Sequence, residues 1–285
     1  LYHKTIKVDT DSITLVPIAD VQIGASGVDL DGLAEHIAYA REFPNPRFIG
    51  VGDYIDTVSP SNRKLLRAAI KEGKLYDSFE TAMRDVTAAY VDQFVNLFSP
   101  EDNWDIVLPG HHYWEYVTRV GDDFHLRTTD QDVADALGAT FMGAPDEKQP
   151  SAMITYSFPP AKKGYPRPEL RVYLRHGQGS GDTFAAPLNQ LQKQTQAHLA
   201  NVYIIAHHHK LVAGKVVKLD ENPAHATNLK AFEGALVSAG SWMRGFMKDE
   251  TTYAEDGQMI PLAMGAPIIK VRRNEDNTFS VKVEL

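Results

Sequence analysis

The chain contains no cysteine. That absence excludes disulfides and thiolate metal sites together, and it suits a reducing compartment. No uninterrupted apolar stretch approaches the roughly 20 residues that a membrane helix needs. Basic residues are in deficit, with 29 Lys and Arg against 37 Asp and Glu and a formal net charge of −8. This balance argues against a broad, sequence-independent grip on DNA or RNA, which rests on Lys and Arg neutralising phosphates. It leaves nucleic acid open as a substrate. The glycine-rich run from His176 to Gly181 lacks the Lys of a phosphate-binding P-loop, so triphosphate binding is not indicated. Its glycines suit a tight turn, and its amides could also approach a phosphate. Repeats, low-complexity tracts and convincing linkers are missing too. These absences lead us to expect a cytoplasmic or otherwise intracellular protein with no membrane partner. Residue 1 is Leu, which leaves open a leader ahead of it. Nothing in the chain indicates an oligomeric state.

What is present is an ordinary globular composition, 43% hydrophobic and 23% charged, in which short segments end apolar runs with metal-competent residues. ITLVPIA precedes Asp20-Val21-Gln22, and RFIGV precedes Gly52-Asp53-Tyr54-Ile55-Asp56. DIVLP precedes Gly110-His111-His112, RVYLR precedes His176-Gly177, and VYIIA precedes His207-His208-His209. Open α/β sheets carry their ligands in loops at the carboxyl ends of strands, so five such loops can converge on one crevice. Two carboxylates, a carboxamide and several imidazoles meeting there would hold divalent metal. On an extended backbone Asp20 and Gln22 would share a side, as would His207 and His209, leaving His208 pointing elsewhere.

In that order the five segments resemble the motifs of the calcineurin-like metallophosphoesterases: Asp-x-His, Gly-Asp-x-x-Asp, Gly-Asn-His, a lone His and Gly-His-x-His. The likeness spans roughly residues 13 to 210. Gln22 stands where the first motif more often has His, His111 where the third has Asn, and Ala206 where the last opens with Gly. The resemblance implies that Asp20, Gln22, Asp53 and His209 bind one ion and Asp53, His111, His176 and His207 a second, with Asp53 shared. It also implies that His112 faces the leaving group as general acid and that Asp56 orients His112 or a ligand. The alternative is that His112 binds metal and His111 does not. Gln22 enriches the first site in oxygen and His111 enriches the second in nitrogen. Mn tolerates both and is the first choice, with Zn, Fe, Ni and Mg open.

Water between two dications loses a proton near neutral pH and serves as nucleophile, while the ions hold phosphate oxygens. Hydrolysis of a phosphoester is the expected reaction. Phosphoprotein phosphatases usually continue the second motif as Asp-Arg-Gly, whereas Thr57-Val58 follows Asp56 here. That difference speaks against a phosphoprotein phosphatase; a phosphodiesterase, nuclease activity included, is the leading reading and a small-molecule or nucleotide phosphomonoesterase the alternative. A catalytically silent metal-binding scaffold is the alternative of another class. Arg244, after Gly240-Ser241-Trp242-Met243, is a candidate phosphate clamp. Arg63, Lys64 and Arg67 could extend a pull on phosphate, although a solvated helix face is the simpler explanation.

At 285 residues the chain is read as a single domain, because the ligand segments span most of it. Strands are expected at 5–8, 13–19, 152–158, 170–175, 235–239, 267–272 and 278–284, and helices near 31–41 and from Asp182 or Thr183 to Leu199. Leu188, Leu191 and Leu199 are expected to face inward. Residues 62–98 read as helix in two pieces broken near Gly73, a rim insertion around 61–98, with Phe79, Met83, Val86, Tyr90 and Phe94 as a core-facing stripe. Thr129 or Asp130 should cap a helix that Gly138 ends, in a short insertion around 121–138. Strands in both halves with helices between them predict an α/β, two-sheet sandwich flanked by helices. The family resemblance implies the same αββα architecture.

Overall fold

Two six-stranded sheets lie face to face in a computed structural model that describes residues 1–120, 123–144, 150–179, 181, 183–220, 230–247 and 263–285. One sheet starts at its edge with β1 (Tyr2–Lys7). It continues through β8 (Ser151–Ser157), β9 (Glu169–Arg175), β10 (Val202–Ile205) and β12 (Lys230–Ala239) to β11 (Leu211–Asp220). The other runs β14 (Phe279–Glu284), β13 (Ile268–Arg273), β2 (Ser12–Ile18), β3 (Pro46–Gly50), β4 (Asn103–Val107) and β7 (Thr140–Phe141). A separate hairpin pairs β5 (Glu115–Val120) with β6 (Asp123–Thr128). The parallel strands β2, β3 and β4 of one sheet and β9 and β10 of the other end in the candidate ligand loops.

Central strands such as β2 and β10 are buried almost throughout because the middle of each sheet is covered on both faces. In β2, Ile13 and Leu15 turn inward to meet Ile154, Val172 and Ile204 of the opposing sheet. Val16 and Ile18 turn outward to α1 (Leu30–Arg41) and α3 (Asp77–Val95), meeting Leu33, Ile37, Val91 and Phe94. The outer face of the first sheet is covered by α5 (Ala186–Ala197), where Leu191 packs on Tyr173, Tyr203 and Ile205. The layers are therefore α, β, β, α, as the strand and helix pattern predicts. No helix among the described residues is long and apolar enough to cross a membrane.

Several local expectations need correction. In α3 the buried positions are Thr87, Val91 and Phe94, while Val86 is 47% exposed. The stripe rotates because Phe94 and Phe98 close on Phe48 and Trp104 at ring separations of 4.8–6.2 Å. Leu199 is 52% exposed, because α5 stops at Ala197 and the chain is extended at His198. Ala185, with no side-chain cap, precedes α5 where Thr183 was an expected cap; Asp182 and Ser180 lie outside the described residues. The helix α4 (Thr129–Ala136) is capped by Thr128, which with Gln131 forms a capping box. Thr129 and Asp130 are instead buried, and Gly138 follows the helix at φ 65°. Helix α2 (Pro60–Lys71) is separated from α3 around Gly73, as expected, and Ser59 caps it. The hairpin β5–β6 and the strands β7 and β11 were not expected. In the hairpin, alternation in EYVTRV was the available signal.

A β-bulge between β3 and β4 places Trp104 opposite Phe48 and Ile106 opposite Ile49, leaving Asp105 as the extra residue. The extra residue carries its carboxylate between the sheets. There Arg47 grips it through Nε and Nη2, and the buried Tyr156 hydroxyl of β8 donates to Oδ2 at 2.5 Å.

Candidate metal centre

The donors are held by loops that bond to one another before any side chain is considered. Asp20 N donates to Gly52 O at 3.1 Å and Gln22 N to Asp53 O at 3.0 Å, joining the loops after β2 and β3. The amides of His111 and His112 both donate to Asp53 Oδ1, the second at 3.1 Å, which draws in the loop after β4. His207 N donates to Asp20 Oδ2 at 2.8 Å, tying the opposite sheet to the first loop. These approaches require bare backbone. A Cβ on Gly110 would lie 2.0 Å from Asp53 Oδ1, and one on Gly52 would lie 2.5 Å from His176 Nδ1.

Among the described residues, seven that are not glycine have positive φ, and five of these are candidate ligands: Asp20, Gln22, Asp53, His207 and His209. This corrects the extended backbone assumed for Asp20 and Gln22 and for His207 and His209. Their shared side comes from left-handed turns, not from strand alternation. Such conformations cost about 1 kcal/mol or more each outside glycine and gather where structure serves a site.

Ligand atoms of Asp53, His111, His176 and His207 all lie within 4.8 Å of one another, a group that could hold a metal ion. His176 donates from Nδ1 to Val51 O at 2.7 Å, which fixes the ring and aims Nε2 at Asp53 Oδ2, 3.0 Å away. The Nδ1 atoms of His111 and His207 face each other at 3.2 Å. Beside this group, the Gln22 amide nitrogen lies 3.3 Å from His209 Nε2, and His209 Nε2 lies 3.6 Å from Asp20 Oδ1. Asp20 Oδ1 is fully buried and has no hydrogen-bond partner among the described residues. A lone carboxylate oxygen in that position is what a cation would satisfy. Turning the Gln22 amide about its last bond presents oxygen in place of nitrogen. The donor set therefore fits divalent metal.

Three of the imidazoles are held in the neutral form that ligation needs. Burial, reinforced by the charge of His176, pushes His207 down to about 3 and His111 to about 4. Burial likewise takes His209 to about 4, so these rings are neutral donors at neutral pH. Burial would also lower His176, but the Asp53 carboxylate outweighs it and raises the ring to about 9. Burial raises Asp20 above the usual carboxylate range.

The structure separates the adjacent histidines. His111 turns into the cluster, while His112 Nδ1 meets Asp56 Oδ1 at 2.7 Å. Burial lowers His112, but its hydrogen bond to the Asp56 carboxylate raises it above the ordinary value. His208 is not one of the grouped ligands, and its ring lies 5.8 Å from that of His207. Arg244 Nη2 binds Asp29 Oδ1 at 2.9 Å, at the N-cap of α1, so a hold on phosphate requires it to release that carboxylate. Arg63 is not on a solvated face: it is 9% exposed and its guanidinium binds main-chain carbonyls.

Asp130 was missed as a supporting residue because TTDQD reads as a capping sequence. Its Oδ2 accepts from Gly110 N at 2.9 Å, holding the turn that presents His111 and His112. Burial raises Asp130 to about 7. A carboxyl raised in the folded state stabilises fully below its unfolded pKa, and that contribution is lost as pH rises from about 4 through 7. Asp130→Asn keeps an acceptor for Gly110 and does not titrate. In chelator, urea denaturation is expected to show Asp130→Asn gaining on wild type between pH 4.5 and pH 8, by on the order of 2 kcal/mol. A difference independent of pH would refute this account.

No protein-family model matches the chain, and no curated protein matches it. Similar solved structures include Vps29 from Chaetomium thermophilum, at 12% identity and a TM-score of 0.34, covering 95% of this chain and 92% of that one. Vacuolar Protein Sorting 29 from Cryptosporidium parvum gives 12% and 0.34, covering 96% and 98%. The calcineurin-like phosphoesterase YfkN from Bacillus subtilis gives 12% and 0.33, covering 96% and 90%. Overlap of this extent carries no argument about chemistry. The resemblance to the calcineurin-like metallophosphoesterases stands on the ordered motifs and the sandwich that presents them.

Proposed function

We propose that the chain is a metal-dependent phosphoesterase of the calcineurin-like kind, a phosphodiesterase whose substrates include nucleic acid or nucleotide diesters. The observation that carries this reading is the convergence of Asp53, His111, His176 and His207 within 4.8 Å, beside a buried and unpartnered Asp20 Oδ1. Asp53, His111, His176 and His207 would hold one divalent ion, and Asp20, Gln22 and His209, sharing Asp53, a second, with Mn in both. Ions bound there would supply Lewis acidity toward a phosphoryl group and an acidified water as nucleophile.

The chain's own residues supply the rest. Asp53 orients His111 and His112 through their amides. Asp56, bound to Nδ1 of His112, fixes the ring so that Nε2 is the atom that hands a proton to a departing alkoxide. Val51 O takes the Nδ1 proton of His176, so Nε2, facing Asp53 Oδ2, is the nitrogen that would give up its proton to bind an ion.

Purified protein with added Mn, assayed on bis(p-nitrophenyl) phosphate and p-nitrophenyl phosphate, tests the proposal. Preference for the diester is expected. Preference for the monoester would make it a phosphomonoesterase, and silence on these and on a wider panel of phosphoesters, with metal bound, would make it a scaffold. Gln22→His replaces an amide oxygen with an imidazole, so Zn or Fe should leave the variant more slowly than wild type during dialysis against chelator. Unchanged retention of both ions would defeat that explanation.

A further inference from the structure

We infer that Arg63 is a positioning residue for His112, acting through the main chain, an inference that rests on the phosphoesterase reading above. Arg63 lies in the first turn of α2, and its side chain is 11% exposed. Its Nη1 donates to His111 O at 2.8 Å and to Tyr113 O at 2.7 Å, the carbonyls on either side of His112. The carbonyl between them, His112 O, accepts from Thr57 N at 3.1 Å and Thr57 Oγ1 at 2.7 Å. With Asp53 Oδ1 taking the amides of His111 and His112, every main-chain polar group of those two residues is bonded. The guanidinium lies 3.8 Å above the Tyr113 ring, with Nε 3.8 Å from Glu115 Oε1.

A guanidinium is suited to this task and an ammonium is not. A planar fork stacked on an aromatic ring is held at one angle, whereas Lys is a flexible point charge. Exposed loops usually satisfy their carbonyls with water, at no desolvation cost. A buried cation spent on two carbonyls instead makes the intervening residue rigid. That residue is His112, whose ring is already fixed by Asp56. Arg63 thus sets where the imidazole stands, and Asp56 sets how it turns. Arg63 itself does not touch substrate.

Misplacing a general acid matters in proportion to the basicity of the leaving group, because nitrophenolate departs without a proton and an alkoxide does not. Arg63→Met and Arg63→Lys, loaded with Mn, are to be measured on bis(p-nitrophenyl) phosphate and on a thymidine dinucleotide. Expected for Arg63→Met is a fall of about 30-fold in kcat on the dinucleotide, with KM little changed, against less than about threefold on the nitrophenyl diester. Arg63→Lys should fall between wild type and Arg63→Met, with metal content equal in all three. A structural role alone would lower both substrates together, and an unchanged rate ratio overturns the inference. Should Arg63→Met fail to fold, Thr57→Val removes one bond to His112 O and should shift the ratio the same way by a smaller factor. Independently of turnover, the ¹H–¹⁵N signals of the His112 ring in Zn-loaded protein should broaden or double in Arg63→Met. If wild type with metal hydrolyses neither ester, the phosphoesterase reading fails. The ring signals then still decide whether Arg63 holds His112, and signals identical to wild type refute it.

Discussion

Asp53→Asn is expected to remove metal and turnover together, lowering kcat/KM by about 10³-fold or more, which corresponds to roughly 4 kcal/mol of lost transition-state stabilisation. The side chains are nearly the same size, so the loops that meet at Asp53 should still close. Asparagine keeps one oxygen for the amides of His111 and His112. Its other terminus becomes an NH₂ aimed at His176 Nε2, where the carboxylate oxygen sits 3.0 Å away. A donor facing that nitrogen cannot share a cation, and the negative charge that draws one is gone. Elemental analysis after dialysis against Mn, beside a bis(p-nitrophenyl) phosphate assay, measures both effects. The informative contrast is His112→Ala, which should keep its metal and lose rate on a thymidine dinucleotide, whose departing alkoxide needs a proton. Loss of metal there would show that His112, not His111, is the ligand. Retention of metal in Asp53→Asn would overturn the role given to Asp53.

The largest loss of stability is expected far from that centre, at Asp105. Its carboxylate is 1% exposed and binds Arg47 and the Tyr156 hydroxyl, and its carbonyl accepts from Lys4 Nζ at 2.7 Å. Asp105→Ala leaves the buried Tyr156 hydroxyl without its acceptor and the Arg47 guanidinium without its counter-charge. Breaking a buried pair on one side costs about 3–5 kcal/mol, a large share of the roughly 5–15 kcal/mol that holds a domain folded. Asp105→Asn still offers Tyr156 an oxygen and should lose about half as much. Urea denaturation of the three proteins decides the matter, and a loss under about 1 kcal/mol for Asp105→Ala would show that water replaces the carboxylate.

Much of the fold was legible because burial on both faces forces strands such as ITLVPIA and VYIIA to be apolar throughout, and Pro44-Asn45-Pro46 and Gly73 interrupt helices. What escaped was context. Val86 fits a helical period, yet the direction of the stripe depended on where Phe48 and Trp104 stood. Thr128, Thr129 and Asp130 could each cap a helix by residue type, and which one did so was settled by the hairpin preceding them. The candidate ligands Asp20, Asp53, His111, His176, His207 and His209 could be named from residue type and order. The backbone that aims them could not, since extended and left-handed turns accept the same letters at Asp20 and His207. Arg63 was read by charge and Asp130 as a helix cap, whereas their partners are carbonyls and an amide that carry no sequence signal.

The interleaving of the two sheets has a consequence for how the protein assembles. β1 begins the chain yet pairs with β8, and β13 and β14 end it yet complete the sheet built around β2. Each layer thus borrows strands from the opposite terminus. Such lacing defers closure until distant pieces meet, which is slow for a chain dominated by remote pairings. Asp20 and Asp53 belong to one layer and His176 and His207 to the other, so a cation held between them would act as a rivet through the seam. Its capture would register the moment at which both layers have docked.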